Sequence, residues 1–387
     1  MKPAIKVKSR VCAVVCAIVF AASSPSMHAQ TLKTLYTFGG TSDGGYPNGL
    51  VRDAAGNLYG TTITGGVGAC TYGGLSGCGV VFKVTPAGKE IVLYSFTGGA
   101  DGAAPYRSLV RDANGNLYGT TPGGGRDGFG TVFKVDKNGN ETVLYSFTGG
   151  ADGGNPYSDL VRDAQGNLYG VAGPVVFKLD EHGKEFVLYT FTGAAPNGHL
   201  LRDAKGNFYG TTSGGGTYGF GTVFKLNTLG KETDLYSFCP LGGICADGAF
   251  PSAGVIQDAA GNLYSTTSQG GTAGWGTVFK LDKSGKETVL HSFSYGDGGL
   301  PYAGLVRDIN DNLYGTTTLG GIQKKTCLNG CGVIFKVAKS GKETTLHSFT
   351  FADGADPQTG VIRDAKGNLY GTTTMGHAFG TLFKLTP

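Results

Sequence analysis

Charge is scarce in this chain. Asp, Glu, Lys and Arg make up 16% of its 387 residues, alongside six His, three Met and a single Trp. Four of the 32 basic residues lie in the first ten positions, where no acidic residue opposes them, so the remainder carries 28 of each sign. A neutral chain without a basic stripe is not built to bind nucleic acid or an anionic membrane surface. Proline is limited to 14 residues and the 70 glycines follow no three-residue period, which excludes a collagen-like rod. Beyond residue 22 no apolar run is long enough to span a bilayer, so no membrane insertion is expected once the N-terminal segment is removed. There is no phosphate-binding P-loop, metalloprotease helix motif or dinucleotide fingerprint. The glycine-rich "GTTPGGGRDGFG" joins two strand-like segments instead of opening a helix.

What is present begins with an export signal over residues 1–29. A basic opening, "MKPAIKVKSR", precedes the apolar run "VCAVVCAIVFAA" and a short polar stretch ending at Ala29, with cleavage after Ser24 as an alternative. Residues 30–387 are expected to form one exported domain, extracellular, periplasmic or at the cell surface, acting as a monomer. Two of the eight cysteines leave with the signal; the others form the local pairs Cys70–Cys78, Cys239–Cys245 and Cys327–Cys331. Close pairs in an exported chain read as loop disulfides, and no His neighbours them to complete a zinc site.

The mature chain is a repeat. The Asp that ends "LVRD" recurs at Asp53, Asp112, Asp163, Asp203, Asp258, Asp308 and Asp364. Each copy continues with "NLYGTT" or a close variant and a "GTVFKL"-like strand. A fourth, "ETVLYSF"-like strand follows only six of the third strands; its missing copy is "TLKTLYTF", residues 31–38. Seven four-stranded units, with the last split between the termini, describe an all-β ring: a seven-bladed β-propeller closed by its N-terminal strand. Within a unit, "D-A-x-G-N" is a hairpin turn between strands A and B, and "D-x-x-G-K" turns strand C into D.

Through "DAAGNLYGTT", "GTVFKV" and "ETVLYSFTGG", residues 31–387 resemble the GloVer (Gloeo-Verruco) tandem-repeat extracellular proteins. More distantly, the blades look like those of NHL-type and lyase- or lactonase-type propellers. The resemblance implies a secreted or surface location and no particular activity. Some relatives carry a C-terminal sorting anchor, whereas this chain ends in a strand C.

Function is expected on the face carrying the long B–C and D–A loops, since binding residues concentrate in loops held by a rigid scaffold. The leading expectation is a binding scaffold for a glycan, peptide or protein, and not an enzyme. The aromatics preceding strand C, Phe129, Phe220, Trp275 and Phe379, are its candidate contacts, Trp275 first; Cys78 and Cys331 take the same place in two blades. The alternative is a channel-centred hydrolase or lyase. Ser108, Asp159 and His199 stand at the top of strand A in blades 2 to 4 where four other blades have Gly, and Arg107 precedes Ser108. No cofactor is expected; calcium is the one ion considered, on the D-G-x-x-P aspartates Asp43, Asp101, Asp152, Asp247, Asp297 and Asp353. The recurring Arg52, Arg111, Arg162, Arg202, Arg307 and Arg363 read as structural contacts between blades. His291 and His347 replace the strand-D Tyr, but outer strands diverge, so one metal is not expected to bridge them.

Overall fold

A computed structural model of the chain describes residues 30–72, 74–196, 198–240 and 243–386. The expected export signal, residues 1–29, lies outside them. Seven antiparallel blade sheets form, each following the order A–B–C–D, beside a two-stranded ribbon of Thr71–Tyr72 and Leu75–Ser76, and among the described residues there is no helix. Blade 2 illustrates the unit: strand A is Val110–Arg111, B Leu117–Thr121, C Thr131–Val135 and D Glu141–Ser146. Strand A is thus shorter than the "GLVRD" read from the sequence. Blade 1 adds Gly45–Pro47, which pairs with its strand B.

The repeated turn is explained atom by atom. Asp53 Oδ1 accepts the Asn57 backbone N–H at 2.8 Å, and Oδ2 accepts the Asn57 amide at 2.8 Å and the Tyr59 hydroxyl at 3.0 Å. Gly56 sits at φ 88°, open to glycine at little cost. The same set forms around Asp112, Asp163, Asp203, Asp258, Asp308 and Asp364. Every strand-B Tyr therefore finds the partner its buried hydroxyl needs.

The core is a ring of interfaces. Each of seven hydrophobic clusters joins one blade to the next. At every junction the Phe ending strand D meets the strand-C Phe of the next blade edge to face: Phe38–Phe82, Phe96–Phe133, Phe147–Phe177, Phe191–Phe224, Phe238–Phe279, Phe293–Phe335 and Phe349–Phe383, with centroids 5.0 to 5.2 Å apart. The Gly of "NLYG" makes room, since a Cβ on Gly60 would come within 2.7 Å of the Phe82 ring. A bulge in strand D, marked by the register shift between Val81 and Phe82, frees Leu93 to pack on the following blade. Strand-A arginines add cation–π stacks, Arg52 over Tyr370, Arg111 over Tyr59 and Arg162 over Tyr118, each on the preceding blade. Arg307 departs from this and pairs with Asp311 of its own turn.

Ring closure uses the N-terminus. Thr31–Thr37 pairs antiparallel with Thr381–Thr386, from Thr31 opposite Thr386 to Thr37 opposite Thr381, and completes blade 7. Phe38, fully buried, then carries the Phe–Phe contact into blade 1.

Strand D of six blades opens on a glutamate. Burial pushes the Glu90, Glu141 and Glu287 carboxyls up to about 7, with repulsion from Asp43, Asp101 and Asp247 adding to it. Their Oε1 atoms are buried and meet no hydrogen-bond partner among the described residues.

Two outcomes follow. Phe38→Ala should cost about 3–5 kcal/mol in denaturant unfolding, the range for truncating a buried Phe, and deleting residues 31–38 should cost more. An unchanged midpoint in the deletion would show that this strand does not close the ring. The glutamates give a pH signature. Between their ordinary value of 4.5 and about 7, the folded state holds protons the unfolded state has released, so they favour folding at low pH and lose that effect as pH rises. The melting temperature should therefore decline across this window, and the decline should flatten in Glu90→Gln/Glu141→Gln/Glu287→Gln; an equal slope in that variant would refute the assignment.

Candidate functional site

The D–A loops converge on the channel axis through a strained joint. In six of the seven loops the residue before the proline has positive φ although it carries a side chain: Tyr46, Ala104, Asn155, Phe250, Leu300 and Asp356, between 50° and 57°. Such a conformation costs on the order of 1–3 kcal/mol and persists only where its surroundings fix it. What fixes it is a latch between blades. The backbone N–H of each donates to the carbonyl of the residue two before strand C in the blade before: Tyr46 to Phe379, Ala104 to Cys78, Asn155 to Phe129, Phe250 to Phe220, Leu300 to Trp275 and Asp356 to Cys331.

That geometry places the four candidate aromatics. Phe129, Phe220, Trp275 and Phe379 occupy equivalent latch positions in four separate blades and are not gathered into one platform. Trp275 leans on Tyr295 with centroids 4.5 Å apart, Phe220 on Phe250 at 5.6 Å and Phe379 on Tyr46 at 6.3 Å. The Cys70–Cys78, Cys239–Cys245 and Cys327–Cys331 disulfides are all formed, two of them through a latch cysteine.

Beyond the prolines the loops enclose a cavity of about 300 Å³ lined by Asn48, Tyr106, Arg107, Ser252, Tyr302, Gln358 and Thr359. A smaller chamber of about 50 Å³ adjoins it, and there Arg107, Ser108, Asp159 and His199 meet. The four residues singled out by their departure from the repeat thus share one mouth, but no catalytic series links them. Asp159 Oδ1 accepts the backbone N–H of Ser108 at 2.8 Å. Ser108 Oγ turns toward blade 1, where a Cβ on Gly49 would lie 2.0 Å from it. His199 turns the other way, over Gly254 and Gly304 of blades 5 and 6. Among the described residues no hydrogen bond runs from Ser108 Oγ to His199 or from His199 to Asp159. Arg107 is tethered: its Nε donates to the Tyr157 carbonyl, and its guanidinium lies over the Tyr106 ring at 5.5 Å.

Sequence reasoning missed Tyr106 and Gln358. Tyr106 of blade 2 donates its hydroxyl to Gln358 Oε1 of blade 7 at 3.2 Å, passing over blade 1. Blade 1 leaves the gap, being one residue shorter between Pro47 and Asp53 than every other blade over the same interval. Gln358 in turn donates to Asp356 at 2.8 Å; burial holds that carboxyl above its usual range. The shortened loop was the available signal.

The D-G-x-x-P aspartates serve their own loops. Asp101 takes the Thr97 backbone N–H at 2.8 Å and the Tyr94 hydroxyl at 2.9 Å, and Asp43, Asp152 and Asp247 are bonded in the same manner. At Asp297 and Asp353 the partner is histidine, His291 at 3.1 Å and His347 at 3.0 Å. The six carboxylates stay in separate loops, one at each of six blade junctions, with their oxygens engaged locally.

With this geometry in view, comparisons with known proteins agree on the architecture. A family model described as the Gloeobacter/Verrucomicrobia repeat matches residues 19–174, 173–328 and 242–387. A streptogramin B lyase structure is similar at a TM-score of 0.62 and 12% identity, over 92% of this chain and 97% of that one. A virginiamycin B lyase from Staphylococcus aureus gives a TM-score of 0.62 at 12% identity, over 92% and 99%. The extracellular domain of a B. thetaiotaomicron protein assigned to the hybrid two-component systems reaches 0.59 at 14% identity, over 92% of this chain and 41% of that one. At such identities the likeness is one of fold alone. No curated protein sequence matches the chain.

Proposed function

The chain belongs to the Gloeobacter/Verrucomicrobia repeat family, and on that footing we propose that it is an exported propeller that binds a small polar, saccharide-like ligand in its axial mouth. One observation carries the reading: a cavity of about 300 Å³ at the ring axis, where two tyrosines, an arginine and a glutamine converge. That size lies at the lower end of ligand pockets, and aromatic faces with a few placed donors and acceptors suit a hydroxyl-rich molecule. The mouth is also pre-organised. Tyr106 is held by Gln358, Arg107 by Tyr157 and the blade 2 loop by Asp159, so little freedom remains to be lost on binding.

Export is supported by the three disulfides, which persist in oxidising compartments. The extracellular domain among the structural neighbours and the N-terminal segment read as a signal point the same way. Catalysis by Ser108, Asp159 and His199 in this mouth has no observation that favours it, because their side chains diverge.

A calorimetric screen of mono- and oligosaccharides against the purified chain tests the reading. Tyr106→Ala and Tyr302→Ala should each weaken the best ligand at least ~10-fold, about 1.4 kcal/mol, while Trp275→Ala leaves its affinity unchanged. Retention of full affinity in both tyrosine variants would move the site away from the mouth.

A further inference from the structure

Among the described residues a single group of three metal-ligating side chains comes together: His291, Asp297 and Glu343 offer ligand atoms that all lie within 4.8 Å of one another. They belong to two blades. His291 ends toward the loop side of strand D in blade 5, Asp297 follows it in the D–A loop, and Glu343 opens strand D of blade 6. Glu343 of one blade thus faces the loop aspartate of the blade before, while His291 and His347 pair with separate aspartates, Asp297 and Asp353.

The repeat supplies its own controls. Strand D carries Tyr at the His291 position in five blades, and there Tyr donates a hydroxyl, not a nitrogen lone pair. At the next junction His347 pairs with Asp353, but the residue in register with Glu343 is Leu32, so the third ligand is missing. Only the junction of blades 5 and 6 combines a histidine with both carboxyls. It also departs from the repeat once more. Thr345 stands where four copies carry Val92, Val143, Val187 and Val289, one Asp234 and one Thr34, and its hydroxyl donates to Glu343 Oε1 at 3.1 Å.

The outer partners orient the ligands. Asp297 Oδ1 accepts the Ser294 backbone N–H at 2.8 Å, which leaves Oδ2 directed at His291 Nε2, 3.1 Å away. Thr345 likewise holds one oxygen of Glu343 and leaves the other without a donor among the described residues. The His291 ring is fixed edge-on against Phe293 at 4.8 Å. Ligand carboxylates steadied by outer hydrogen-bond donors are usual around a metal centre. The side chains of His291 and Asp297 remain 16% and 25% exposed, so an ion can enter from solvent.

We propose that His291, Asp297 and Glu343 form a site for a divalent transition metal, zinc in the first instance, with water in the remaining position. One nitrogen and two carboxylate oxygens match zinc, whereas calcium requires six to eight oxygens. A dication here also relieves the repulsion between two carboxyls crowded at a partly buried junction. The site lies on the outer flank of the ring and is independent of the axial mouth.

The test is calorimetric titration of the chelator-treated chain with zinc, alongside cobalt absorption spectroscopy. The expected result is one saturable equivalent. His291→Tyr and Glu343→Leu, which import residues the repeat already uses at these positions, should fold normally. Each should lose more than the ~10–100-fold that removal of an outer hydrogen-bond partner costs. His347→Tyr, the same exchange one junction on, should leave the affinity unchanged. The proposal is overturned if the wild-type chain takes up no equivalent, if His291→Tyr binds zinc as well as wild type, if His347→Tyr loses as much, or if calcium binds as tightly as zinc.

Discussion

The contact on which this molecule depends is a phenylalanine of one blade set edge-on against a phenylalanine of the next. It occurs at all seven junctions with nearly constant spacing. No single blade can bury its own strand-D Phe, because the surface that covers it belongs to the neighbour. A series of such interfaces has no stable end, so it must be capped or closed. Here it closes, and Phe38 supplies the seventh contact from the opposite end of the chain. The glycine in "NLYG" leaves room beneath the ring in six blades, Ser265 taking its place in blade 5 at the same Phe–Phe spacing, and the leucine on the strand-D bulge fills the gap the bulge opens.

A scaffold fixed by repetition leaves function to the departures from it. Along the axis the strained residue before the proline sets the direction of six loops, and the side chains that follow differ from blade to blade: Asn48, Tyr106, Tyr157, Ser252, Tyr302 and Gln358. They are held at equivalent positions by equivalent backbone latches, so their variety is expressed as chemistry and not as shape. The loss of one residue in blade 1 breaks the ring's evenness and lets Tyr106 cross to Gln358.

What could be read from the sequence followed the range of the interactions. The D-x-x-G-N turn was legible because its donors and acceptor lie within six residues of one another. Closure was legible because strands can be counted, and strand A fell short only in length. The departures at Ser108, Asp159 and His199 were legible as positions, and the structure does bring them to one mouth. Their directions were not legible. Asp159 is occupied by a backbone N–H of the adjacent blade, and His199 lies over glycines whose missing side chains make the space. Trp275 stood out as the lone tryptophan, yet its carbonyl does the same work as that of Phe129 or Cys78. The Tyr106–Gln358 bond joins residues 252 positions apart and arises from an omission, which a search for unusual residues passes over.

The two histidines that replace tyrosine in strand D differ in their surroundings. Either ring can donate to a loop aspartate, so His347 at Asp353 needs no function beyond that of Tyr94 at Asp101. The exchange at His291 stands in a different setting, because a second carboxyl faces the same aspartate across the junction. With Tyr in that place, burial and the facing aspartate push the glutamate carboxyl up, as at Glu90 and Glu141. With histidine, and with Thr345 turned in to hold the glutamate, the pair gains a nitrogen and an outer donor together. His347 and Thr34 bring the same two exchanges to the junction of blades 6 and 7, where Leu32 stands in place of the glutamate, so only the junction of blades 5 and 6 sets the nitrogen and the outer hydroxyl against a pair of carboxyls.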